Sequence, residues 1–160
     1  MKKRFNLPRL MLVVLGCLSF LSVSSTSEAQ RRARGRESRY TKIDVDRLIK
    51  RVEENSNTFR SLYERSLSNG SLPGTEANDN LKAKIQRMDE SLERLRSDFN
   101  RSDNWRDTKS QVAEVFAQAR PVNRVLDQRT LIKVDLRRQW SLVKSQLNAL
   151  GGVYNLPRLR

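Results

Sequence analysis

Basic side chains at close and recurring intervals are the residues here best equipped for chemistry with a partner. Arg31, Arg32, Arg34, Arg36 and Arg39 fall within ten residues, and Arg106, Lys109, Arg120, Arg124, Arg129, Lys133, Arg137, Arg138 and Lys144 recur through the later part of the chain. A guanidinium is a planar fork of donors that fits a carboxylate or a phosphate, and an ammonium is a mobile point charge. The chemistry on offer is therefore anion binding. Its distribution is uneven: residues 40–100 hold eleven basic and eleven acidic groups, whereas residues 101–160 hold twelve against five. Such a field attracts polyanions and aids solubility, and it says nothing about fold. Without aromatic residues interleaved on the basic face, specific nucleic-acid binding is not expected.

Other chemistries lack their residues. There is no histidine, and Cys17 is the only cysteine. The lack of histidine excludes histidine-ligated haem and Ser-His-Asp triads, and removal of an N-terminal leader containing Cys17 would also exclude disulfides, thiol nucleophiles and Cys/His zinc sites. Asp89, Glu90 and Glu93 share a helical surface, but arginines interleave with them, and a di-metal carboxylate bundle would need inward Glu-x-x-His pairs. No catalytic, cofactor-binding or metal-ligating residue is assigned, and the expectation is a non-enzymatic protein with no cofactor.

The N-terminus has the layout of an export signal. Lys2, Lys3, Arg4 and Arg9 precede an apolar run from Leu10 to Val23, and Ser27-Glu28-Ala29 offers small residues where a signal peptidase reads. Cleavage after Ala29 is expected, leaving a periplasmic or extracellular chain. The apolar run is too short for a membrane span of about 20 residues. An alternative takes Val14-Leu15-Gly16-Cys17 as a lipoprotein box with Cys17 acylated, but the apolar run continues past Cys17. Residues 30–40 have no apolar periodicity and are read as a disordered Arg-rich arm.

The elements that must position the charges are helical. Val45, Leu48, Val52, Phe59 and Leu62 form one apolar stripe, widened by Ile49 and Tyr63 and interrupted by Asn55 and Ser56. Thr41 and Asp44 are spaced as a capping box for this first helix, about 41–69, and Gly70 ends it. Thr75 is the expected N-cap of a second helix, about 75–101, with Leu81, Ile85, Met88, Leu92, Leu95 and Phe99 in unbroken steps of four and three. Ser102-Asp103-Asn104 caps a third helix, about 103–127, striped by Trp105, Val112, Val115, Ala119, Val122 and Leu126, with Phe116 beside them. Pro121 lies inside that pattern and predicts a kink or break near Arg120, and the stripe resuming at Val122 and Leu126 favours a kink. A fourth helix, about 130–150, carries Ile132, Leu136, Trp140, Val143, Leu147 and Leu150, with Gly151-Gly152 expected to stop it. Trp105 and Trp140 read as packing anchors. Four such helices over residues 41–156 predict an all-α, antiparallel up-down-up-down four-helix bundle, with 157–160 as a basic tail; a three-helix arrangement with a broken third segment is the runner-up.

Thr58-Phe59-Arg60-Ser61-Leu62, Asn80-Leu81, Asp98-Phe99 and above all the closing Trp140-Ser141-Leu142…Leu147…Leu150…Tyr154-Asn155-Leu156 resemble a group of small exported bacterial all-helical proteins without an assigned activity. The resemblance implies the fold and an exported setting, and it brings no site residues. The functional expectation is an envelope or periplasmic structural or interaction module. Its basic surface would meet an anionic envelope component or a protein partner through Arg31, Arg32, Arg34, Arg36, Lys133, Arg137, Arg138 and Lys144. The alternative is a periplasmic holdase-like chaperone or stress protein, which should expose a concave apolar surface.

Overall fold

The structure, a computed structural model, describes residues 40–70, 72, 75–128 and 133–160. The expected leader with Cys17, the Arg-rich arm and Ile132 lie outside them. The described residues form four helices: α1 (Lys42–Ser68), α2 (Glu76–Arg101), α3 (Lys109–Gln128), preceded by a 3-10 turn at Trp105–Thr108, and α4 (Val134–Val153). They pack against one another as a four-helix bundle, and no strand occurs among the described residues. The broadest contacts are between α1 and α4 and between α2 and α3.

Local chemistry fixes the ends. The Thr41 hydroxyl accepts from the Asp44 N–H at 3.2 Å, and the Asp44 carboxylate accepts from the Thr41 N–H at 3.0 Å, which completes the capping box. Gly70 follows α1 at φ 65°, the left-handed conformation glycine adopts without strain. Thr75 occupies the N-cap of α2 but its side chain makes no capping bond. Asn104 caps the 3-10 turn by accepting from the Arg106 N–H at 3.2 Å.

One alternative for α3 falls away, and one expectation about α4 is corrected. Pro121 does not break α3, which continues to Gln128. Pro121 removes the donor for the Ala117 carbonyl, and Ala117 is exposed, so water can satisfy that carbonyl. Gly151 and Gly152 do not stop α4, for both lie inside it. The chain turns out of the helix at Asn155, at φ 56°, where the Leu156 N–H donates to the Gly151 carbonyl at 2.9 Å in a Schellman arrangement. Gly151 serves packing instead: a Cβ there would come within 2.3 Å of the buried Phe116 ring.

The core draws on all four stripes. On α1 its centre is Val45, Ile49, Val52, Phe59 and Tyr63, with Leu48 and Leu62 only partly buried. The α2 stripe is buried from end to end, Leu92 included. Both tryptophans are packing residues, as expected: Trp140 meets Phe59 with ring centroids 5.2 Å apart, and Trp105 meets Tyr154 edge-on at 5.3 Å. The polar step in α1 is filled by Ser56, 1% exposed, while Asn55 sits at the margin and accepts from Gln139 of α4.

Candidate functional site

Residues 157–160 are not a free basic tail. Leu159 is 6% exposed and belongs to the hydrophobic core. Asn148 of α4 grips its backbone twice: its Oδ1 accepts from the Leu159 N–H at 2.8 Å, and its Nδ2 donates to the Leu159 carbonyl at 3.1 Å. From α3, Asn123 Nδ2 donates to the Arg160 carbonyl at 2.6 Å. The tail is therefore bracketed by α3 on one side and α4 on the other. Asn123 is itself held from below, since its Oδ1 accepts from the Trp140 indole Nε1–H at 2.9 Å while its Nδ2 also reaches Asp127 at 2.7 Å.

This clasp sets the direction of the neighbouring charges. Arg158, Leu159 and Arg160 alternate exposed, buried, exposed, as an extended segment with one side inward must. With Leu159 inward, both arginines face out. Arg120 and Arg124, one helical turn apart on α3, border the same place. These four arginines, with Asn123, Asp127, Gln128 and Leu159, line a shallow groove of about 460 Å³. Among the described residues none of the four makes an ion pair.

The residues singled out from sequence are placed as follows. Arg31, Arg32, Arg34 and Arg36 lie outside the described residues. Lys133 is exposed at the N-cap of α4, beside a small pocket of about 130 Å³ that it shares with Leu62, Arg65, Asp135 and Leu136. Arg137 and Arg138 are exposed and Lys144 is half-buried. Arg137 and Lys144 are seven residues apart and share the side of α4 that carries Asn148, whereas Arg138 is turned from Arg137 by about 100°. The basic strip thus divides: Arg120 and Arg124 border the tail, whereas Arg137, Arg138 and Lys144 do not line that groove. Arg106 covers the Trp105 ring at 4.5 Å, at the other end of α3. Sequence reasoning missed Arg158 and Arg160 as site residues. Its available signal was asparagine within or beside an apolar stripe, at Asn123 and Asn148.

The opposite side of the bundle treats its charges differently. Arg96 of α2 donates from Nε and Nη2 to Glu53 at 3.0 and 2.7 Å and from Nη1 to Asp46 at 2.6 Å. Lys50 adds a 2.9 Å bridge to Asp46. The Lys50 ammonium, aided by Arg96, holds the Asp46 carboxyl below the usual range, and hydrogen bonding to Glu53 raises Arg96. Asp89, grouped in sequence with Glu90 and Glu93 on one helical surface, is 6% exposed and turned toward α1. Its Oδ1 accepts from the Ser56 hydroxyl at 2.6 Å, and Arg60 lies 3.2 Å from Oδ2 without hydrogen-bond geometry. Burial pushes its pKa up against the opposing pull of Ser56 and Arg60. A cleft of about 290 Å³ opens beside it, lined by Lys50, Glu53, Glu54, Asn57 and Glu93 among others. Among the described residues no group of three or more acidic side chains is arranged to hold a metal ion.

The fold and this face define an all-α four-helix bundle with a charge-paired seam between α1 and α2 and, beside the tail, four arginines that make no ion pair among the described residues. Neither a family model, nor a curated protein, nor a solved structure matches the chain. No helix among the described residues is long and apolar enough to cross a membrane.

Proposed function

We propose that the protein is an exported, non-enzymatic interaction module whose basic side docks on an anionic partner in the cell envelope. One observation carries the reading: Arg120, Arg124, Arg158 and Arg160 are brought to one groove without an ion-pair partner among the described residues. Like charges held together in that way repel, and an arriving anion relieves the repulsion. The order of charged, apolar and small residues at the N-terminus supports export, and the Arg-rich arm adds five guanidinium groups to the same partner preference. A holdase would need a broad apolar surface. The large apolar side chains exposed among the described residues are Tyr40, Ile43, Val134 and Leu142, and none of them lines the three clefts described above.

The test is retention on heparin and on anionic vesicles as salt rises. Exposed charges are screened beyond about 8 Å at physiological ionic strength, so binding should fall steeply with salt. Deleting residues 30–39 and reversing Arg137 and Arg138 to glutamate should each weaken retention without lowering the thermal midpoint. Equal retention of the wild type and the combined variant would sink the proposal.

A further inference from the structure

We infer that the groove between the C-terminal half of α3 and the clasped tail is a binding site for a compact phosphate-bearing ligand. The inference rests on the anion-docking reading above and narrows it to one place and one chemistry.

Three features point there. The first is residue type: all four cations of the groove are arginines, whereas lysine occurs at Lys133 and Lys144 on the α4 side. Guanidinium forks pair with phosphate oxygens two at a time, so two pairs of forks suit a group with several oxygens and more than one charge better than a lone carboxylate. The second is preorganisation. Arg158 and Arg160 would be mobile on a loose tail, but Leu159 is buried and its backbone N–H and carbonyl are both held by Asn148. Arg120 and Arg124 stand on a helix whose inner face is fully packed. Guanidinium groups already in place lose less freedom on binding. The third is the balance of the groove itself. Its one side-chain carboxylate, Asp127, already accepts from Asn123, as does the Arg160 main-chain oxygen, and its apolar lining is limited to Leu159. About 460 Å³ admits a diphosphate or a phosphorylated headgroup, and the open, polar lining offers little to an apolar ligand.

The site also contains its own reporter. Asn123 carries the Arg160 carbonyl on Nδ2 and the Trp140 indole N–H on Oδ1, so displacement of the tail is passed to a buried tryptophan. Trp105, the only other tryptophan, lies at the opposite end of α3 and serves as an internal control.

The experiment is a titration of the isotopically labelled protein with inorganic pyrophosphate, following the indole and arginine side-chain N–H signals. A saturable shift is expected at Trp140 and at the four arginines, with Trp105 unmoved. Sodium chloride at matched ionic strength should not reproduce it. Affinity should fall about tenfold or more in R120Q/R124Q and in R158Q/R160Q, since each removes charge-assisted hydrogen bonds, while R137Q/R138Q should bind as the wild type does. Asn148→Ala should weaken binding without touching an arginine, because Asn148 positions the tail. A second arm uses phosphatidylcholine vesicles doped with phosphatidic acid. Co-sedimentation that needs the same two arginine pairs assigns the phosphate to a lipid headgroup, and pyrophosphate binding without it assigns a soluble ligand; either outcome upholds the site. A shift that follows ionic strength alone, or equal affinity in all three double variants, overturns it. Salt-sensitive retention on heparin with no saturable pyrophosphate shift would remove the groove and leave the broader docking proposal standing. Loss of both would remove the two together.

Discussion

The two sides of this bundle use the same residue to opposite ends. On the α1–α2 seam, Arg96 is enclosed by Asp46 and Glu53, with its side chain 19% exposed and every fork atom donating. On the α3–tail–α4 side, Arg120, Arg124, Arg158 and Arg160 gather without a carboxylate that pairs with them among the described residues. The first seam is specified by charge. The second is specified by shape and by amides: Phe116 against Gly151, Asn123 under Trp140, Asn148 around Leu159. An arginine whose partner is in its own chain is structural, and one without such a partner is available to something else. Net charge alone does not distinguish the two. The location of the carboxylates does.

The sharpest way to break this comparison is on the shape-specified seam. Gly151→Ala must displace a buried ring, and its overpacking should cost about 2 kcal/mol or more, after the gain in helix propensity is subtracted. Gly152, one residue on, is exposed and has nothing within 4 Å of the place a Cβ would take, so Gly152→Ala should raise stability by up to about 1 kcal/mol. Denaturant midpoints decide it, and equal midpoints for the two variants would mean that Phe116 does not occupy the space described.

Charge should matter next, and only on one side. Arg96→Ala strands the part-buried Glu53 carboxylate and leaves Asp46 to Lys50 alone, and should cost about 1–2 kcal/mol, a figure already reduced for solvent screening. Arg124→Ala should stay within about 0.5 kcal/mol. If the two variants unfold at the same denaturant concentration, the division into paired and unpaired faces is wrong.

The smallest effect is a pH dependence centred on Asp89. Its folded-state pKa is raised by burial above the ordinary 3.8, so the folded state takes up the proton first as pH falls. Wild-type stability relative to Asp89→Asn should therefore rise from neutrality through that raised pKa and level off below 3.8. Asp44, Asp46 and Asp98 are shifted downward, so what they contribute is present above 3.8 and is lost as pH falls through their lower folded values. That loss is common to both proteins and cancels in the difference. A difference curve that is flat from pH 7 to pH 3 would show that Asp89 is solvated.

Most of the helical framework was legible from residue spacing, because a stripe such as Leu81, Ile85, Met88, Leu92, Leu95 and Phe99 admits one periodicity. The stripe of α1 was legible only to within one residue: Ile49 and Tyr63 are central where Leu48 and Leu62 also fit the count. What escaped were features that depend on a neighbour from elsewhere in the chain. Gly151 looks like a stop until Phe116 is seen against it. Asp89 sits among charged residues in sequence and is buried only because Ser56 faces it from α1. Residues 157–160 are too short to show any period, so Leu159 gave no sign of joining the core. The basic character of the site could be read from composition, whereas the convergence of Arg120 and Arg124 with Arg158 and Arg160 could not.

Gly151 has a consequence for the uniqueness of the native state. Apolar stripes that repeat every three and four residues nearly superpose on themselves after a slide of seven, so helices in a bundle have alternative alignments that bury about as much surface. The notch at Gly151 accepts the Phe116 ring in one alignment only. A slide of α4 by one heptad would set Lys144 at the level of that ring in place of the notch. The absent side chain thus acts as a detent that separates one arrangement from its near-degenerate competitors, and it does so without charge, so the selection should persist at salt concentrations that silence the ion pairs of the other seam.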